Sequence, residues 1–179
     1  MTDRQTWAEQ YFRQAVSDWH MYRSVLARPA NSDVPLCHRL HYLQMACEKL
    51  AKAYRFRDTN TSLDRLLTEH TGFAEFVQAL VRSPEFKARY AGKTASYRQT
   101  VRVATGLARE VERLAPAVDR DDRPDNAEYP WLCGDEVRVP CEHGFPNLAL
   151  LWRPGGRQFL QCIEEAVNDF PRRLAPDPG

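Results

Sequence analysis

Apolar and polar residues alternate along the chain with the three- and four-residue spacing of amphipathic helices. The stretch from Leu36 to Tyr54 is the clearest case. Its polar face opposes a single apolar stripe, made of Leu36, Leu40, Leu43, Cys47, Leu50 and Tyr54. Neither Gly nor Pro interrupts the stretch, and most of its residues favour helix. The pattern therefore predicts a helix from residue 36 to about residue 56, buried along one seam.

The same spacing predicts helices on both sides of this stretch. A first helix is expected over residues 5–28, capped by Asp3 or Thr6 and stopped by Pro29, with a turn over residues 30–35. Residues 62–82 predict a helix that breaks at Thr71-Gly72, with Thr71 as the cap of its second piece.

Three further helices complete the set. Ser83-Pro84-Glu85 combines a cap, a proline and an acid, which predicts the start of a short helix to about Tyr90. A longer helix is expected to begin at Thr94, and a last one to run from Arg157 to Phe170, where Pro171 would end it.

The segment between the last two helices follows a different pattern. It is rich in turn residues and prolines, but it also contains Trp, Tyr, Phe and Leu. Two short apolar runs, 129–132 and 137–140, predict a small edge hairpin, and residues 148–152 predict one helical turn. Structureless loops of this length are uncommon in compact domains. Residues 116–156 are therefore expected to pack on the helices or on a partner subunit.

The predicted fold class is all-α. An up-and-down bundle of four to five main helices is expected, forming a single domain over residues 1–179 with a frayed tail at residues 171–179. The irregular insertion precedes the last helix. A chain of 179 residues is long enough to bury a substantial core.

Composition limits the classes of function. The formal net charge is +1, so nucleic-acid binding would require a local basic patch. The cations are nearly all arginine, which suits bidentate phosphate contacts, but a high-GC genome produces the same bias and is the favoured explanation. Five cysteines without a Cys-x-x-Cys pair favour a reduced, cytoplasmic protein, and neither a signal peptide nor an apolar run long enough to cross a membrane is apparent.

Metal and cofactor sites are not expected. Two groups carry zinc-ligand side chains: Cys37, His38 and His41 in the second helix, and Cys133, Cys141 and His143 in the insertion. Neither group has paired-knuckle spacing or a full set of ligands. The sequence also lacks a nucleotide-binding glycine loop. Gly155-Gly156 suits a tight turn better than an anion site.

Part of the second helix resembles the signature helix of HEPN domains. The matching residues are Gln44, Ala46, Glu48, Lys49, Leu50, Lys52 and Ala53. The first helix agrees through Trp7-Ala8, Ala15 and Asp18, and His70 lies where that family often has a histidine. The resemblance covers residues 5–115 and the last helix, with residues 116–154 as an elaboration.

The resemblance implies a helical bundle that dimerises and works with RNA. Many HEPN proteins are metal-independent ribonucleases of toxin–antitoxin, defence or RNA-processing systems. Others pair with a minimal nucleotidyltransferase or have no demonstrated catalysis. The ribonucleases use Arg-x(4–6)-His near the start of the last helix, where the Arg would stabilise phosphorane charge and the His would move a proton.

This chain departs from the ribonuclease pattern, because no histidine lies in or after the last helix. Arg-x(4–6)-His occurs at Arg13/His20, Arg65/His70 and Arg138/His143. Only Arg138 and His143 lie near the expected place, so they are the catalytic candidates. The alternative interpretation is that both side chains simply solvate a loop.

A polar face on the second helix is the other candidate site. It comprises Arg39, His41, Gln44, Glu48, Lys49 and Lys52. Glu48 and Lys52 are spaced for an ion pair that would stabilise the helix alone. Alternatively the face binds RNA or a nucleotide, with Tyr42 or Tyr54 as a stacking surface. Two functions stay open: an RNA-associated homodimer, with or without ribonuclease or toxin activity, and a non-catalytic module for a partner protein such as a nucleotidyltransferase or an antitoxin, or for a nucleotide.

Overall fold

A computed structural model describes residues 3–26, 34–119 and 121–174. These residues are mostly helical, as predicted. The helices are α1 (Arg4–Leu26), α2 (Leu36–Arg55), α3 (Leu63–Thr68), α4 (Phe73–Arg82), α5 (Pro84–Ala88), α6 (Thr94–Glu112) and α7 (Pro154–Leu174). A two-stranded hairpin, β1 (Trp131–Cys133) and β2 (Glu136–Arg138), and two 3₁₀ segments, Pro140–Glu142 and Pro146–Trp152, lie between α6 and α7.

Helix α2 lies at the centre of the fold, in contact with α1, α4, α6 and α7. The predicted apolar stripe explains this central position. Leu40, Leu43, Cys47 and Leu50 on this stripe have no exposed surface. Each fully buried leucine contributes about 1.5–3 kcal/mol to the stability of the fold. The apolar seam thus positions every polar residue of α2 relative to the neighbouring helices.

Two predicted helix caps are present. The Asp3 carboxylate accepts a hydrogen bond of 2.7 Å from the Thr6 amide, and this bond lowers the pKa of Asp3. The Ser83 hydroxyl oxygen accepts from the Phe86 amide at the start of α5. The expected stop at Pro29 falls within residues 27–33, which lie outside the described ranges.

The cap of α4 differs from the prediction. Thr71 does not cap this helix: the cap residue is Gly72, with a φ of +117° that favours glycine. The Glu112 carboxylate of α6 instead accepts hydrogen bonds of 2.9 Å from the amides of Gly72 and Ala74. A carboxylate from another helix therefore satisfies amides that the sequence assigned to a local hydroxyl.

The bounds of α7 also differ. The helix begins at Pro154 rather than Arg157, since the fixed φ of proline suits the first helical position. It continues through Pro171 to Leu174, so the predicted stop at Pro171 was wrong, as was a tail beginning there. Near a helix terminus, proline removes one hydrogen bond without disturbing the many turns that precede it. Residues 175–179 are not described.

The insertion packs against the helices. The strands pair antiparallel, with Trp131 opposite Arg138 and Leu132 opposite Val137, as the predicted hairpin requires. Trp131 is buried at the base of this hairpin, while Phe145, Leu148 and Leu151 join the main core. Across the described ranges no helix combines the length and apolarity needed to span a bilayer.

Candidate functional site

The signature residues of α2 form a hydrogen-bonded network around Glu48. Gln44 Nε2 donates to Glu48 Oε2 at 2.8 Å, and Lys52 Nζ lies 3.3 Å from Glu48 Oε1. His70, in the connection between α3 and α4, places its Nδ1 3.1 Å from the same Oε1. Glu48 therefore joins α2 to this connection.

A second part of the network joins α2 to α1. Lys49 Nζ lies 2.6 Å from Asp18 Oδ2, and Gln14 Nε2 donates to Asp18 Oδ1 at 3.1 Å. The ammonium of Lys52 also lies over the ring of Tyr11, 5.5 Å from its centroid. Burial, and then the charge of Glu48, raise the pKa of Tyr11.

These contacts match the structural interpretation of the polar face. Gln44 and Lys52 are only 3% and 4% exposed, so a large ligand has little access to them. Their polar atoms bond within the protein, as buried polar groups usually do. A direct role of Gln44, Glu48, Lys49 and Lys52 in RNA binding stays a prediction without support from this geometry.

The N-terminal part of the polar face adjoins the insertion. His41 Nδ1 lies 3.5 Å from Glu128 Oε1, a contact whose geometry is not that of a hydrogen bond. The imidazole of His41 also meets the ring of Tyr42 edge-on at 5.7 Å. Arg39 is partly buried nearby on the same helix. This region therefore anchors the insertion on α2 instead of forming an open groove.

The two catalytic candidates occupy different surroundings. Arg138 is half exposed on β2, with Glu136 Oε2 4.0 Å away. His143 is packed edge-on against the rings of Trp131 and Phe145, at 5.1 and 4.7 Å, and its Nε2 lies 4.0 Å from Asp125 Oδ2. Within the described part of the chain Arg138 and His143 share no hydrogen bond, and the charged partner of each is a different carboxylate. The aromatic packing around His143 is typical of a loop anchor.

The candidate metal ligands form no centre. Among residues 3–26, 34–119 and 121–174, no group of three or more His, Cys, Asp or Glu side chains is arranged to hold an ion. All five cysteines are free thiols, and Cys133 and Cys141 are exposed. Burial raises the pKa of Cys37, and the nearby Cys141 contributes to the same shift.

A basic groove lies between α4 and α6. It encloses about 630 Å³ and is open to solvent. Four exposed arginines line it: Arg82 on α4, and Arg98, Arg102 and Arg109 on α6. None of the described residues that line it is acidic. We call this feature the arginine groove.

Neutral side chains, not carboxylates, hold two of these arginines. The Gln78 amide oxygen accepts from both terminal nitrogens of Arg82, at 2.8 and 2.9 Å, in the amide orientation that satisfies both groups. Arg102 donates to the Gln99 amide oxygen. None of the four arginines forms an ion pair with a described residue. Their positive charges are therefore available to an anionic ligand.

A second cleft, between α5 and α7, differs in its charge. It encloses about 390 Å³, and Glu85, Glu165 and Asp169 line it together with Arg89 and Arg172. Arg89 already pairs with Glu165 at 2.5 Å. The mixed charge of this cleft gives no preference for an anion, in contrast with the arginine groove.

The candidate residues derived from the sequence did not include the groove arginines. A signal was present, because Arg98, Arg102 and Arg109 are four and seven residues apart and so share one face of a helix. Arg82 carries no such signal, since it reaches the groove only through the packing of α4 on α6.

Comparison of the chain with known proteins found no match. No protein family matches the chain, and neither a curated protein nor a solved structure is similar enough to count as a match. The resemblance to HEPN domains therefore stays a prediction carried by the residues of α1, α2 and His70.

Proposed function

We propose that this chain is an RNA-binding helical module that holds RNA in the arginine groove without cleaving it. The observation that carries the proposal is the set of four exposed arginines, Arg82, Arg98, Arg102 and Arg109, in a groove without acidic lining residues. The resemblance of α2 to the HEPN signature helix points to the same class of ligand.

The physical argument begins with charge. Arg98 and Arg102 are one helical turn apart, so their like charges disfavour α6 by a few tenths of a kcal/mol. A bound phosphate backbone would relieve this repulsion and offer oxygens to the forked guanidinium groups. The net charge of only +1 means that attraction would be confined to this groove rather than spread over the surface.

The same groove lacks the means for catalysis. RNA cleavage through the 2′-hydroxyl needs a group that accepts and donates a proton near neutral pH, most often a histidine. None of the five histidines lines the arginine groove. His143 packs between Trp131 and Phe145, and His70 bonds to Glu48, so both have evident structural roles. Binding without cleavage is therefore favoured over the ribonuclease alternative.

Binding is tested by fluorescence anisotropy with an RNA that contains both a stem and a loop. The wild-type protein should bind with a strong dependence on salt, because each phosphate contact releases counterions. Arg98→Ala/Arg102→Ala should weaken binding and lower the slope of log K against log salt by about 2. Both positions are exposed on a helix, where alanine is well tolerated.

The matched control is Arg13→Ala/Arg57→Ala. Both of these arginines are exposed and lie outside the groove, so the control removes the same net charge. Equal weakening in both double variants would indicate non-specific attraction and would contradict the proposal. Absence of RNA binding by the wild type would also overturn it and would leave the partner-protein hypothesis.

Catalysis is tested on the same RNA by gel electrophoresis. The bound RNA should stay intact with wild type, Arg138→Ala and His143→Ala alike. Cleavage by wild type that both substitutions abolish would instead support a ribonuclease centred on the insertion. Sedimentation of the same samples measures whether the chain forms the homodimer that the resemblance implies.

A further inference from the structure

We infer that the arginine groove takes the sugar–phosphate backbone of double-stranded RNA rather than the bases of a single strand. This inference rests on the proposed RNA-binding function and names the form of RNA that the groove fits. It follows from two features of the groove, the row of cations along α6 and the absence of a free aromatic face among the lining residues.

The cations form an extended row. Arg98, Arg102 and Arg109 share one face of α6, and the eleven helical rises from Arg98 to Arg109 span about 16 Å. Arg82 stands on the opposite wall, provided by α4. A straight row of guanidinium groups suits a ligand whose negative charges also lie along a regular, stiff line. The backbone of a duplex has this property, because stacking and pairing fix the positions of successive phosphates.

The groove offers no platform for bases. Tyr97 is the only aromatic residue among the described ones that line it, and its hydroxyl donates to the backbone carbonyl of Val81 at 3.2 Å. The ring of Tyr97 also packs against Tyr90, 5.8 Å between centroids, and is only partly exposed. Tyr97 thus fastens α6 to the end of α4 and is not free to stack on a base.

The row of cations and the lack of a stacking surface distinguish between two modes of RNA recognition. Modules for single strands stack exposed bases on aromatic side chains, which supplies much of their affinity. Modules for duplex RNA contact phosphates and 2′-hydroxyls and depend on shape. The arginine groove carries phosphate-binding groups without a stacking surface. Its geometry corresponds to the second mode and predicts binding with little preference for base sequence.

Gly106 provides a test position inside the row. It lies between Arg102 and Arg109 on the groove side of α6, and a β-carbon added there meets no atom within 4 Å. Gly106→Arg therefore adds a fourth cation within the row on α6 without a steric clash, whereas Gly106→Glu introduces a negative charge at the same point. Both replacements favour helix more than glycine does, so a change in RNA binding would not result from a loss of folding.

The experiment compares a labelled RNA duplex with each of its separated strands. The strands have unstructured sequences, and a second duplex has the same composition in scrambled order. Wild type should bind both duplexes equally and several-fold more tightly than either strand. Gly106→Arg should tighten duplex binding, with a salt slope steeper by about 0.9, and Gly106→Glu should weaken it.

Two outcomes would overturn the inference while leaving the proposed function intact. One is tighter binding of single strands than of the duplex, with Arg98→Ala/Arg102→Ala still weakening binding. The other is tighter binding of a DNA duplex than of an RNA duplex of the same sequence. If wild type binds no RNA in any form, the proposed function fails as well, so the two failures are distinguishable.

Discussion

Nζ of Lys52 lies 3.3 Å from Oε1 of Glu48, one turn earlier on α2, and the two side chains are only 6% and 15% exposed. An ion pair this well shielded differs from a surface pair. Its ions attract each other more strongly, but either one left alone would be an uncompensated charge in the interior. Glu48 also accepts from Gln44 and His70, so one carboxylate fixes three side chains.

Glu48→Ala is expected to destabilise the protein by about 3 kcal/mol, because it leaves the Lys52 ammonium buried without its partner. The double variant Glu48→Leu/Lys52→Met should lose less than the single variant, since it removes both charges and keeps the volume. Urea unfolding followed by circular dichroism measures both free energies. A double variant less stable than Glu48→Ala would contradict this reading of the pair.

Gly156→Ala should destabilise the fold by about 1–3 kcal/mol through overpacking. A β-carbon at this position would overlap the backbone carbonyls of Leu150 and Leu151, because the first turn of α7 packs directly on the 3₁₀ segment Pro146–Trp152. The matched control is Gly106→Ala, whose β-carbon meets open space. This control should stabilise α6 by about 0.5–1 kcal/mol. Thermal unfolding of the two variants should therefore shift in opposite directions.

Glu112→Ala should weaken the start of α4 by about 1–2 kcal/mol, as the loss of a capping side chain does. The Glu112 carboxylate accepts from the amides of both Gly72 and Ala74. Hydrogen exchange should show faster exchange at the Ala74 amide, with the helix interior less affected. Glu75→Ala, which removes an exposed acid from the first turn of α4, serves as the control. An equal effect on Ala74 exchange in both variants would refute the capping role of Glu112.

The free energy of unfolding should fall at alkaline pH, because buried thiols resist ionisation. Burial raises the pKa of Cys162 from 9.0 to about 11. Between these values the unfolded chain has lost the thiol proton and the folded chain has kept it, so the free energy of unfolding decreases as the pH rises. Below pH 9 this contribution is fully present. Urea unfolding under reducing conditions, at a series of pH values up to about 11, measures the fall.

Cys162→Ser should make that alkaline fall shallower, because the serine hydroxyl does not titrate in this range. The decline should not vanish, since burial also raises the pKa of Cys37 and Cys47. An exposed thiol provides the control: Cys133→Ser should leave the slope as it is in wild type. A wild-type slope in Cys162→Ser would show that this thiol does not carry its part of the effect.

Local sequence determined most of the secondary structure. The four- and three-residue spacing from Leu36 to Tyr54 was enough to predict α2 and its buried face, because a helix places residues three and four apart on one side. Local sequence also predicts the hairpin around Gly134 and the start of α5 at Ser83. Two predictions failed. Thr71 is not the cap of α4, because a carboxylate of α6 binds the amides there. Pro171 does not end α7, because a proline near a helix terminus removes only one hydrogen bond.

Contacts between distant parts of the chain belong to the tertiary structure. The sequence placed Glu48 and Lys52 one turn apart, but only the packing of α1 and of the α3–α4 connection brings Tyr11 against Lys52 and His70 against Glu48. Likewise Arg98, Arg102 and Arg109 share a face by helical periodicity, whereas Arg82 joins them because apolar side chains hold α4 against α6. Periodicity acts over a few residues. The burial of apolar surface acts over the whole chain, and it decides which charges find partners and which stay open to a ligand.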